Sequence, residues 1–117
     1  MRIISGSKKG HKIITKKNQV ARPISDKNRE TIFNLLLHGK ELIELNFSLE
    51  NSYILELFAG TGSFSFEALS RGAKHSTLIE KDPDMIDIIY KNVNKLKFGL
   101  QTTVHHKDCL KFQSINF

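Results

Sequence analysis

Tyr53-Ile54-Leu55-Glu56-Leu57-Phe58-Ala59-Gly60-Thr61-Gly62 decides the fold. Residues 53–58 read as a short strand, Ala59 to Gly62 as a tight glycine loop, and Phe64 to Ser70 as a helix stopped by Gly72. A second strand follows at Ser76 to Glu80. Asp82 then caps, and Pro83 opens, a helix whose apolar residues Ile86, Ile89, Val93 and Leu96 share one face. A third strand, Thr102 to His106, ends at Lys107-Asp108. Strands alternating with helices of this length require a parallel sheet with right-handed crossovers, so an α/β fold with helices on the sheet faces is predicted from residue 52 onward.

On the N-terminal side, Arg22-Pro23 marks an extended turn, and Ser25 or Asp26 caps a helix through Arg29, Ile32, Phe33, Leu36 and Leu37 to a stop near Gly39. Lys40 to Asn51 alternates apolar and polar residues without clear turn chemistry and receives no assignment. Ile3-Ile4 and Ile13-Ile14 flank Gly6 and Gly10, which predicts two short strands joined by a basic turn. Residues 1–29 hold nine Lys/Arg and one acid, whereas residues 30–117 hold nine bases and eleven acids, so the net charge of +6 resides in the first quarter. A one-sided basic segment is the electrostatic footprint of a protein that meets a polyanion.

With 117 residues, 39% hydrophobic and 26% charged, the chain has the size and composition of one packed unit. No apolar run exceeds three residues and the opening MRIISGSKKGHK lacks a signal-peptide core, which excludes membrane insertion and secretion by this route. The single Cys109 excludes an internal disulfide and a cysteine-based zinc site, and fits a reducing cytoplasm.

In an open parallel sheet the ligand lies beyond the C-terminal strand ends, which here read Glu56 with Gly60-Thr61-Gly62, Glu80, and Asp108. The glycines let a cofactor approach the backbone, and Glu80, twenty residues after Gly60, stands where a ribose-binding acid belongs. Charge then selects among adenosine cofactors. A pyrophosphate would be repelled by Glu56 and would miss the third glycine, replaced by Ser65, whereas the ammonium and sulfonium of S-adenosylmethionine would be attracted. His105 and His106, adjacent on a strand, face opposite sides and read as plain strand residues, so no metal is expected. Cys109 reads as a small buried or semi-buried residue and not as a nucleophile. Phe58 and Phe64 fit either core or pocket lining.

Leu55 to Gly62, followed by Glu67-Ala68-Leu69-Ser70-Arg71-Gly72-Ala73, resembles motif I and the next helix of the bacterial 16S ribosomal RNA guanine-N2 methyltransferases. Arg2-Ile3-Ile4, Gly6, Lys9-Gly10, Arg22-Pro23, Asp26, Arg29-Glu30 and Phe33-Asn34 resemble that family's opening segment. The resemblance implies an incomplete Rossmann-like class I methyltransferase fold carrying an N-terminal hairpin and helix. Residues 1–51 would form a basic RNA-binding extension and residues 52–117 the first part of the S-adenosylmethionine domain. It further implies that Gly60 and Gly62 hold the methionine part, Glu56 faces its amino group, Glu80 takes the ribose hydroxyls and Asp108 the adenine amine, with Phe58, Ala59, Thr61, Lys81 and Cys109 completing the pocket. Lys8, Lys9, Lys12, Lys16, Lys17, Arg22, Arg29 and Asn34 would face ribosomal RNA or the assembling small subunit.

Ser65, where the family often has glycine, is expected to narrow the loop. The larger departure is chemical. Methylating an exocyclic amine uses an Asn/Asp-Pro-Pro-aromatic turn, whereas the only prolines here are Pro23 and Pro83. Residues 1–117 are therefore expected to be the N-terminal part of a longer product, inactive alone and prone to self-association through an open sheet edge. The alternatives are an RNA- and cofactor-binding module without catalysis and, less favoured by Glu56 and Ser65, a nicotinamide-dependent dehydrogenase.

Overall fold

The computed structural model describes residues 1–16 and 24–111. The expectations placed on Lys17, Arg22 and Pro23 lie outside the described residues. Strands β1 (Tyr53–Leu57), β2 (His75–Glu80) and β3 (Thr102–His106) form a parallel sheet in the order β1-β2-β3. Leu55 stands opposite Thr77, and Thr77 opposite Thr103. Ahead of the sheet lie helices α1 (Asp26–His38) and α2 (Lys40–Glu44), while α3 (Ser63–Ser70) and α4 (Pro83–Leu96) make the crossovers.

The local chemistry explains these boundaries. Ser25 caps α1 by accepting from the Asn28 N–H at 3.1 Å. Asp82 caps α4 through the Asp84 N–H at 2.9 Å, Pro83 occupies the first turn, and Lys97 ends the helix in left-handed conformation at φ 60°. Helix α3 begins at Ser63, one residue before the sequence expectation, directly on Gly62. The unassigned stretch contains α2, whose five residues bury no side chain.

The two crossover helices lie on one face of the sheet. Ile54, Leu78 and Val104 from one sheet face pack with Phe66 and Leu69 of α3 and with Ile89, Val93 and Leu96 of α4, so both crossover helices cover the same side. By strand alternation the opposite face presents Tyr53, Leu55, Leu57, His75, Thr77 and Thr103. Tyr53, Leu55 and Leu57 are exposed there, and a groove of about 470 Å³ runs between β1, β2 and Thr103.

The N-terminal segment does not form a full hairpin. It closes through one antiparallel bridge, Arg2 to Lys12, with the Ile3 N–H donating to the His11 carbonyl at 2.9 Å and the Ile13 N–H to the Met1 carbonyl at 2.9 Å. The turn leaves the ladder because its backbone bonds to α3 instead: the Ser7 N–H reaches the Ser70 carbonyl at 2.8 Å, and the Ile4 and Ser5 N–H groups reach the Glu67 carboxylate at 2.9 and 3.1 Å. Ile3 and Ile13 are buried in the same cluster as Phe33, Phe66 and Leu78. The N-terminal extension and the sheet therefore share one core.

Glu67 is the centre of that junction. Fully buried, it also accepts from Arg29 Nε at 3.1 Å and Arg71 Nε at 2.9 Å, while Arg29 Nη2 donates to Asp26 Oδ1 at 3.1 Å and to the Arg2 carbonyl. Four donors on one carboxylate offset its desolvation.

Candidate cofactor site and basic face

The site lies at the C-terminal end of the sheet, where the chain turns out of β1. Phe58, Gly60 and Gly62 have φ of 54°, 58° and 82°, so three of five residues are in left-handed conformation. At Gly62 a Cβ would lie 2.6 Å from Phe66 Cε2 and 2.9 Å from Leu78 Cδ2, which makes glycine a packing requirement there. At Gly60 a Cβ would meet nothing within 4 Å. The loop therefore rests on the core at Gly62 and opens outward at Gly60.

Glu80, at the end of β2, holds that opening. Its Oε1 accepts from the Gly60 N–H at 2.8 Å, and its Oε2 from the Lys81 and Asp82 N–H groups, both at 2.9 Å. A carboxylate offers about four acceptor positions, so about one stays available on Oε1, beside the glycine loop. Glu56 lies deeper. Its Oε1 accepts from the Ser65 N–H at 3.1 Å and the Ser65 hydroxyl at 2.7 Å, and Ser65 in turn accepts from the buried Ser76 hydroxyl at 2.6 Å. Burial pushes the Glu56 carboxyl up to about 7, opposed by the Ser65 bonds and reinforced by the nearby Glu80 charge.

Ser65 thus does not narrow the loop. Its side chain is fully buried and turns toward Glu56 and Ser76. This role was missed from sequence, because the spacing showed only a missing glycine and gave no sign of a hydroxyl reaching the strand below.

Of the remaining expected cofactor residues, Ala59 and Thr61 are buried in the loop, while Phe58 is 60% exposed and Lys81 is exposed. Asp108 is half-buried after β3, and its Oδ1 accepts from the Leu110 N–H at 2.9 Å. The Lys107 N–H donates to the Glu80 carbonyl at 3.0 Å, which ties the ends of β2 and β3 together. Half-buried Cys109 has its thiol 3.9 Å from the Ile79 carbonyl. Among the described residues no group of three His, Cys, Asp or Glu could hold a metal ion.

The expected RNA-facing set divides. Lys9, Lys12 and Asn34 are exposed. Lys8 is half-buried with its ammonium 6.0 Å from the Phe98 ring centroid, and Lys16 pairs with Asp84 at 2.6 Å, a hydrogen bond that raises its pKa. Arg29 corrects the expectation outright: it is fully buried against Glu67 and cannot reach a phosphate. Its position on the apolar face of α1, beside Phe33, was the missed signal. Lys17 and Arg22 lie outside the described residues.

A family described as conserved hypothetical protein 95 matches residues 1–116. The ribosomal RNA small subunit methyltransferase D of Haemophilus influenzae is 37% identical over 97 residues, which is 83% of this chain and 46% of that protein. The Rickettsia prowazekii protein named uncharacterized methylase RP545 is 48% identical over 82 residues, 70% of this chain and 34% of its own. Among solved structures, the yhhF protein of Escherichia coli superposes with a TM-score of 0.76 at 32% identity, covering 94% of this chain and 53% of that one. The chain spans about half the length, or less, of these relatives.

Proposed function

This chain belongs to the conserved hypothetical protein 95 family and has part of a class I methyltransferase fold, and from that premise we propose that residues 1–117 hold the cofactor and part of the RNA in a methyltransferase of small-subunit ribosomal RNA. The cofactor is S-adenosylmethionine and the target atom guanine N2. Work on an assembling ribosomal subunit makes the cytoplasm its compartment. In this reading residues 1–51 are an RNA-engaging extension and residues 52–117 the cofactor-holding part.

The observation that carries the cofactor reading is the pair of carboxylates around the glycine loop, Glu80 bonded to the Gly60 N–H and Glu56 bonded beneath it to Ser65. Glu80 keeps an acceptor for a ribose hydroxyl. Oε2 of Glu56 accepts no hydrogen bond from the described residues and suits the donor's ammonium. The same geometry disfavours a dinucleotide: the Ser65 N–H, in the first turn of α3 where a pyrophosphate would dock, already serves Glu56. Asp108 is the acceptor for the adenine amine, with Phe58, Ala59, Thr61, Lys81 and Cys109 around the pocket.

S-adenosylmethionine supplies the methyl group, and these side chains orient it and shield its charge. Activating the guanine amine requires an acceptor turn of Asn/Asp-Pro-Pro-aromatic type, which residues 1–117 do not contain. The test is transfer from labelled S-adenosylmethionine to deproteinised small-subunit RNA, followed by nucleoside analysis. A chain completed with the second half of the Haemophilus relative is expected to yield N2-methylguanosine, and residues 1–117 alone to remain at background. Label in another nucleoside would refute the assigned target, and turnover by residues 1–117 would refute the assignment of the acceptor chemistry.

A further inference from the structure

The segment carrying Lys12 and Lys16 runs antiparallel along α4. Lys95 Nζ donates to the Lys12 carbonyl at 2.8 Å, Asn92 meets Ile14, and Lys16 meets Asp84 at 2.6 Å, so the segment travels from the C-terminal end of α4 toward its N-terminal end, beside Glu80 and Asp82. The outer two contacts are exposed. The middle one is not: Asn92 is fully buried.

Asn92 uses its amide on both partners at once. Oδ1 accepts from the Ile14 N–H at 2.7 Å, and Nδ2 donates to the Ile14 carbonyl at 3.1 Å and to the Thr61 carbonyl at 3.2 Å. The two bonds to Ile14 fix the plane of the amide, and that plane aims Nδ2 at the middle of the glycine loop. Turning the amide to follow a shift of the arm would leave the Thr61 carbonyl without this donor in a buried setting, where an unpaired polar group is costly. The loop has reason to depend on such an anchor. Phe58, Gly60 and Gly62 all hold left-handed φ, and neither bound carboxylate touches Thr61, whose carbonyl Asn92 holds.

We propose that Asn92 is a positioning residue that couples the basic arm to the cofactor loop, so that RNA on the arm strengthens cofactor binding and cofactor strengthens RNA binding. The proposal rests on the assignment of the arm to RNA and of the loop to S-adenosylmethionine. It requires a differential contact, and Asn92 provides one: an arm held on RNA fixes Ile14, Ile14 fixes the amide, and the amide fixes Thr61. Linkage makes the effect reciprocal.

The experiment measures the affinity of adenosylhomocysteine for the full chain with and without a saturating small-subunit RNA fragment, and the RNA affinity with and without adenosylhomocysteine. Wild type is expected to show the same factor in both directions, roughly fivefold or more. Asn92→Leu, close in volume and without the hydrogen bonds, is expected to bind each ligand singly while its coupling factor falls below about twofold. Amide exchange on the wild type provides a second reading should Asn92→Leu fail to fold: RNA alone is expected to slow exchange at Gly60 to Ser63. Binding of both ligands without coupling, equal coupling in Asn92→Leu, or loop exchange indifferent to RNA would overturn the proposal and leave the site assignment standing. Failure of the wild type to bind either ligand would overturn both.

Discussion

Gly60 and Gly62, two residues apart in one loop, are needed for different reasons, and substitution separates them. Gly62→Ala drives a methyl into Phe66 and Leu78 at φ 82° and is expected to cost about 2–4 kcal/mol of stability, read as a lower thermal midpoint. Gly60→Ala meets no atom and is expected to cost only about 1–2 kcal/mol from its φ of 58° while sharply weakening adenosylhomocysteine binding, because in the proposed site its methyl would project toward the ligand. A similar loss of stability in both variants would mean that Gly60 is structural. Glu56 adds a pH dependence. Its carboxyl titrates near 7 in the folded chain and near 4.5 when exposed, so between these values the folded state holds the extra proton and stability falls as pH rises, levelling above 7. Ligand binding runs the other way. An ammonium beside Glu56 favours the carboxylate, so affinity is expected to rise with pH up to about 7 and then to flatten, with proton release on binding. Calorimetry in buffers of different ionisation enthalpy measures that release, and Glu56→Gln is expected to abolish it.

At the level of elements, the N-terminal arm is bonded to α3 and to α4, and its buried isoleucines make it part of the core. Glu67→Ala would strip four donors of their acceptor and leave the buried Arg29 guanidinium with Asp26 but without its buried partner, an expected loss of about 3–5 kcal/mol with fast amide exchange at Ile4 and Ser5. Slow exchange at those amides in the variant would show that the arm docks through its isoleucines alone. Testing RNA binding by deleting the arm would remove Ile3 and Ile13 from the core, so the clean variant is Lys9→Ala with Lys12→Ala, both exposed. It is expected to flatten the salt dependence of RNA binding by roughly 0.7–0.9 log units for each phosphate no longer neutralised, and an unchanged slope would make these lysines mere solvated surface. The crossover helices and strands were legible because each carries its own periodicity and caps, Asp82-Pro83 above all. The buried polar links were not. Glu67, Ser65 and Asn92 look in the sequence like ordinary helix polar residues, and only the fold brings them against Ile4, Glu56 and Thr61. Arg29 misled for the same reason, since charge is visible in a sequence and burial of a charge is not.

Across the whole molecule, one sheet face is roofed by α3 and α4, while the other is exposed along β1. Tyr53, Leu55 and Leu57 expose 71%, 50% and 45% of their surface along a strand that, among the described residues, pairs only with β2. Such an edge favours pairing with further chain, so residues 1–117 in isolation are expected to associate with rising concentration, and a sedimentation profile of a stable 13.4 kDa monomer would contradict that. The candidate site at the strand ends is built away from this face: Glu80 holds the Gly60 N–H, Asn92 the Thr61 carbonyl and Glu56 the first turn of α3. Calorimetric titration with adenosylhomocysteine, on the chain as it stands and on Glu80→Ala, tests the proposed cofactor site most directly. Adenosylhomocysteine is expected to bind the unmodified chain, to bind Glu80→Ala more weakly by about 1.5–3 kcal/mol, and to resist displacement by NAD. Equal affinity for both proteins, or displacement by NAD, would contradict the assignment.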